Sequence, residues 1–298
     1  MPLNKNATLL RALSLNAETL SCAAARNQFP VLLRSLAERR KITSVEFRPL
    51  LVDAMLTTHP CGFRIFFNSN GDDPVDLQEQ FLRESREQLM PSRLRFSLAH
   101  ELAHTFFYDL SEGTPKLAKQ FRSGGGKTEL ENLERNCNRI AAQMLLPTPM
   151  LKAALKGMKT VNPPSLLELA QRAGVSIEAL VRRLSDQNTL LVDPYFRGCI
   201  VLIKEAHGVI TVTAIAKPPH LNIARDLCLM RPGESWQLTS SDGKSLQPKE
   251  IVVTSHVKLT VETAQSKSQQ NYQVAQIETG RSDSTVSRLL TFEEMNNR

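Results

Sequence analysis

The chain has 298 residues, a net charge of +7 and 41% hydrophobic residues, a size and balance that suit two water-soluble domains of ordinary size. No apolar run approaches the roughly 18 residues that cross a bilayer, so no membrane partner is expected, and Arg11, Asn16 and Glu18 break the short apolar stretch before Cys22 that a secretory leader would need. Five widely spaced cysteines (Cys22, Cys61, Cys137, Cys199, Cys228) without a Cys-x-x-Cys pair exclude a disulfide framework and suit the reducing cytoplasm.

Residues 1–25 read as one helix or a loosely docked extension. From Pro30, Val31, Leu32, Leu36 and Ala37 recur at helical spacing and predict an amphipathic helix. Basic residues gather in "LLRSLAERRKITSVEFR" and "KAALKGMKT", which read as solvated faces with phosphate contact as the alternative. "CGFRIFFNSNGDD" predicts a strand at Phe63–Phe67 that runs into a turn, and this strand is expected to offer an edge for an extended peptide. A polar helix is expected over Val75–Leu89.

Next comes "RFSLAHELAHTFFYDL". A helix brings positions i and i+4 to one face, so His100 and His104 can aim ring nitrogens at one cation. Glu101, a third of a turn away, can hold and deprotonate an attacking water without taking a ligand position, the division of labour that metal-assisted hydrolysis requires. Two core histidines bonded to backbone carbonyls are the bland alternative. After a glycine-rich break at Ser123–Lys127, a helix capped by Thr128 runs to a stop at Pro147 and Pro149. Its apolar stripe of Leu130, Leu133, Cys137, Ile140, Ala141 and Met144 also carries Glu134. A carboxylate on a core-facing stripe is costly unless paired or bound to a metal, which makes Glu134 the third-ligand candidate. Cys137, one turn on, is the alternative soft ligand of a closed structural site.

"PPSLLELAQRAGVSIEALVRRLSD" predicts a helix, a turn at Gly174 and a second helix capped by Ser176. Beyond Asp193 the period changes from 3.6 to 2. "CIVLIKEAHGVITVTAIA" reads as a hairpin around His207 and Gly208, and "EIVVTSHVKLTVET" alternates, with His256 on the polar face. His59, His207, His220 and His256 lack a companion at ligand spacing and read as turn or surface residues.

In their order, "RLRFSLAHELAH", "ERNCNRIAAQMLLP" and "LLELAQRAGVSIEALVRRL" resemble the ImmA/IrrE family of metallopeptidase-like proteins, from about Pro30 to Asp186. The family's second motif, Glu-x-x-Ala-Asn-x-Phe-Ala-Ala, aligns on Glu134, so the resemblance also implies Glu134 as third ligand. It further implies intracellular work on a transcriptional repressor of helix-turn-helix type. The chain departs from the family in having Ala103 for Gly, Cys137 for Ala, and Tyr108 where many members place another His. A phenol there could donate to a developing oxyanion, though a tyrosine bonded within the core is the plainer reading.

The expected fold is α+β. A mainly helical, zincin-like metallopeptidase domain with a small sheet covers residues 26–190, including a helix-turn-helix-like pair at 165–186, and a β-rich domain covers 195–298. The expected activity is that of a cytoplasmic zinc endopeptidase of the HExxH, gluzincin-like kind, acting on a protein substrate, a transcriptional repressor. His100, His104 and Glu134 would bind Zn2+, Glu101 would act as base and Tyr108 as transition-state donor. The other class of reading is a regulator without turnover. It would either sequester its repressor or bind DNA through the helix pair, with Arg172, Arg182 and Arg183 on phosphates and Glu178 set against it.

Overall fold

The computed structural model of the protein describes residues 5–69, 73–111, 114–118, 127–158, 161–185, 198–206, 209–216, 235–236, 249–254, 257–265, 271–282 and 285–294. The architecture is α+β. Contacts gather the chain into two units, Met1–Met150 with Arg172–Val175, and Leu151–Gln171 with Ser176–Arg298.

In chain order the first unit holds α1 (Lys5–Ala25), α2 (Leu33–Arg39), β1 (Ile42–Arg48), β2 (Ala54–His59), β3 (Gly62–Asn68), α3 (Pro74–Leu82), α4 (Ser92–Thr105), β4 (Tyr108–Asp109), β5 (Lys116–Leu117) and α5 (Lys127–Leu145). The N-terminal helix is packed rather than loose: Ala17, Ser21 and Ala25 are buried, α1 lies against α5, and Glu18 accepts from the Thr148 backbone N–H at 3.0 Å.

The small sheet has the order β1-β3-β2, with β1 parallel and β2 antiparallel to β3. Phe63, Ile65, Phe66 and Phe67 are buried, as the near-continuous apolar run of a middle strand should be. This corrects the expectation that the Phe63–Phe67 strand offers a free edge, because both of its sides are already paired. The edges belong to β1 and β2, neither of which the sequence reading anticipated.

The helix expected over Val75–Leu89 ends at Leu82. Asp73 caps its start, accepting from Val75 N–H at 2.8 Å, with Pro74 at the first position. Beyond Leu82 the chain leaves the helix, and Glu84 ion-pairs with Arg95 of α4, both side chains being fully buried. Arg95 also donates to the carbonyls of Val31 at 2.8 Å and Gly174 at 3.1 Å. At the other end of α4, Arg40 donates to the Thr105 carbonyl at 2.8 Å and its hydroxyl at 2.9 Å, and lies 4.2 Å over the Phe106 ring. A guanidinium there satisfies a terminal carbonyl and opposes the negative end of the helix dipole. The inner face of α4, including Leu98, Ala99, Leu102 and Ala103, is buried.

α6 (Thr148–Gly157) spans the division between the units. The second unit holds α7 (Pro163–Ala173) and α8 (Ile177–Ser185), which starts where the Ser176 hydroxyl accepts from Ala179 N–H at 3.1 Å. It also holds β6 (Gly198–Ala206), β7 (Val209–Ala216), β8 (Ser235–Trp236), β9 (Lys249–Thr254), β10 (Val257–Gln265), β11 (Asn271–Ser282) and β12 (Thr285–Glu294), ordered β8-β7-β6-β12-β11-β10-β9. β6 and β7 pair antiparallel with Ala206 opposite Val209, and α8 packs against both. The alternating run "EIVVTSHVKLTVET" is two strands, β9 and β10, paired antiparallel with Thr254 opposite Val257. His207, Gly208, His220, His256 and Ser123–Gly126 lie outside the described residues, as does the side chain of Thr128, which sits one residue inside α5.

Candidate active site

α4 and α5 pack side by side and supply the charged floor of a cavity of about 460 Å³ that β2 borders on another side. The i, i+4 spacing on α4 sets the rings of His100 and His104 together, their centroids 4.9 Å apart and their Nε2 atoms 3.1 Å apart. Glu134 reaches in from α5, with Oε2 at 3.0 Å from His100 Nε2 and Oε1 at 3.6 Å from His104 Nε2. The structure therefore brings the three expected ligand side chains to one point. The available ligand atoms of His100, Glu101 and His104 also lie within 4.8 Å of one another.

These separations fit a small divalent cation. A tetrahedral ion with bonds of about 2.0–2.1 Å holds its ligand atoms about 3.3 Å apart, and two imidazoles with one carboxylate form a borderline-soft donor set. Burial, and then the neighbouring His100, lower the pKa of His104 against the opposing charge of Glu134, which favours the neutral ring that a ligand must have.

Glu101 is 7% exposed and turns toward β2. Burial, with the Glu134 charge beside it, pushes its carboxyl up to about 7, while a hydrogen bond from the Leu56 backbone N–H holds it down. A carboxyl poised there can both take up and return a proton near neutral pH. Why β2 presents that N–H follows from strand parity. Asn68 N–H donates to the Asp53 carbonyl at 2.9 Å, so residues 53, 55 and 57 turn their peptide groups to β3, and Ala54, Leu56 and Thr58 turn theirs outward. Ala54 and Leu56 line the cavity. The Leu56 N–H was beyond sequence reasoning, since a backbone donor has no residue signature.

Tyr108, on β4, lines the same cavity, its ring edge-on to Phe63 with centroids 5.2 Å apart, and burial raises its phenol pKa. Cys137 is buried, but its sulfur lies 3.4 Å from Nδ1 of His104, on the side of the ring opposite the donor cluster. Burial first, and then the charges of Glu134 and Glu101, push that thiol well up, so it stays protonated. Asn138, one turn after Glu134, sets Oδ1 2.9 Å from His100 Nδ1. The signal for it was present in the i, i+4 spacing from Glu134. His59 proves to be a hairpin residue, its Nε2 3.0 Å from the Arg64 guanidinium.

In the helix pair, Gly174 takes φ +66 at the turn. Arg183 is buried, and Arg182 is engaged with Glu178 at 2.8 Å. Neither is placed as a ready phosphate contact. Among the described residues no helix is long and apolar enough to cross a membrane, and Cys22, Cys61 and Cys137 are free thiols.

Residues 64–185 match the family model of the peptidase M78 group, the IrrE N-terminal-like domain. The chain is also 29% identical over 137 residues to the radiation response metalloprotease IrrE of Deinococcus radiodurans, a stretch that covers 46% of this chain and 35% of that relative. The chain thus spans about a third of the relative's length. His100, Glu101, His104, Tyr108 and Glu134 all fall inside the segment that the family model matches.

Proposed function

We propose, from the match of residues 64–185 to the IrrE N-terminal-like family of metallopeptidase domains, that the protein is a zinc-dependent endopeptidase of the cytoplasm that cleaves a transcriptional repressor. The observation that carries this reading is the convergence of His100, His104 and Glu134 within 3.0–3.6 Å beside a buried carboxyl that titrates near 7. Zn2+ bound by these three side chains would supply Lewis-acid polarisation of a peptide carbonyl and acidify water.

The chain's own groups account for the rest. Glu101 removes a proton from the attacking water and returns it to the departing amine. Leu56 N–H keeps the Glu101 carboxylate turned to the cavity. Tyr108 stands on the cavity wall, where its hydroxyl can donate to the developing oxyanion. The outward peptide groups of β2 offer an extended substrate backbone the hydrogen bonds of an added strand. The choice of a repressor as substrate rests on the family resemblance alone, and the outward peptide groups of β2 support only a peptide substrate in general. Direct DNA reading is not favoured, because Arg183 is buried and Arg182 is paired.

Glu101→Gln tests turnover against sequestration. The variant should fold and bind one zinc as the wild type does, while cleavage of a helix-turn-helix repressor encoded beside it falls about 10²–10⁴-fold. Derepression by Glu101→Gln equal to wild type, with the repressor intact in both, would instead establish sequestration.

A further inference from the structure

The two imidazoles face each other through Nε2 and face two consecutive residues of α5 through Nδ1. His100 Nδ1 lies 2.9 Å from Asn138 Oδ1, and His104 Nδ1 lies 3.4 Å from Cys137 Sγ. An amide oxygen can only accept, so His100 carries its hydrogen on Nδ1 and keeps a lone pair on Nε2. We propose that Cys137 does for His104 what Asn138 does for His100: the sulfur accepts from Nδ1–H and holds the ring in the tautomer whose Nε2 lone pair faces Glu134. Cys137 and Asn138 are thus positioning residues, and the inference rests on the metal-centre reading above.

A neutral imidazole has one N–H, and the partner at one nitrogen decides what the other can do. Were the thiol to donate to Nδ1, the ring hydrogen would sit on Nε2, aimed at His100 Nε2 3.1 Å away, and His104 could not serve as a ligand. Helical spacing makes the arrangement economical. Glu134, Cys137 and Asn138 stand at i, i+3 and i+4, so one turn of α5 delivers a ligand carboxylate and an acceptor for each ring. The two acceptors are unequal, because sulfur is the weaker one, so His104 is the less firmly held ring.

The test is a titration of metal-free protein with Zn2+ in competition with a chromophoric chelator. Asn138→Ala should weaken zinc binding about 10–100-fold and Cys137→Ala about 10-fold, while Asn138→Asp and Cys137→Ser, which keep an acceptor, should recover most of the loss. Thermal unfolding of the metal-free variants checks that the fold is intact. Should Cys137→Ala not fold, nitrogen NMR of the imidazoles in the metal-free wild type decides: both rings are expected to carry hydrogen on Nδ1, with the His104 N–H slow to exchange. Wild-type zinc affinity in Cys137→Ala, or a His104 ring protonated on Nε2, would overturn the assignment. A wild-type protein that takes up no ion would overturn the metal centre itself.

Discussion

Arg95 holds a full charge where no water reaches it. Its side chain and that of Glu84 are fully buried, so each is the other's main compensation, with the carbonyls of Val31 and Gly174 each accepting one further N–H. Removing one member of such a pair strands the other, at a cost of about 3–5 kcal/mol. Arg95→Met should therefore destabilise the protein by about that amount in chemical denaturation, and Arg95→Lys should recover little, because an ammonium cannot reproduce the fork. Glu84→Gln together with Arg95→Met should be milder than Arg95→Met alone, since no buried charge remains. The same scale explains why His100, Glu101 and His104 were legible. They sit within one turn and a third of helix, where spacing alone fixes their geometry. The Glu101 partner was not legible, because it is the backbone of Leu56 and depends on which peptide groups β2 turns outward.

At the scale of elements, the turn between α7 and α8 is set by one glycine. At φ +66 a left-handed backbone costs a residue with a Cβ about 1–2 kcal/mol, and here that Cβ would lie 2.7 Å from the Leu89 side chain and 2.8 Å from Arg95 Nε. Gly174→Ala should lower the unfolding free energy by more than the backbone term, and the excess should shrink when Leu89 is shortened to Ala. Gly174 was readable as a turn because helical periodicity stops and restarts around it. α4 and α5 were readable for the same reason. β1 was not, although Val45 and Phe47 alternate with Glu46 and Arg48, because seven residues directly after a basic helix merge with its charge pattern. β2, with only Ala54, Met55 and Leu56 as apolar members, has too little alternation to declare itself, yet it forms the edge of the site. α3 stops short of its periodic signal where Glu84 turns inward to pair with Arg95 of the next helix.

For the whole molecule, the change from helical to alternating patterning near Asp193 predicted a β-rich domain from residue 195. The strands there form one sheet with α8 packed on β6 and β7, which supports a module that takes α8 with it. Limited proteolysis should cut within 186–198. The nicked halves should then elute together in native gel filtration and part only in denaturant. A C-terminal fragment that elutes alone and keeps its strand circular dichroism would assign 195–298 to a domain that folds without α8.

The fastening of α4 at both ends has a genetic corollary. Arg40, from the turn after α2, holds the Thr105 end of the helix, and at the other end Arg95 of the helix itself is held by Glu84, Val31 and Gly174. The mutational target for loss of activity is accordingly much wider than the five residues of the motif. Alleles at positions 40, 84, 95 and 174 touch neither substrate nor donor atom, yet they would share a phenotype with those at 100, 101 and 104, and a map of inactive alleles would trace the moorings of the helix as clearly as its chemistry.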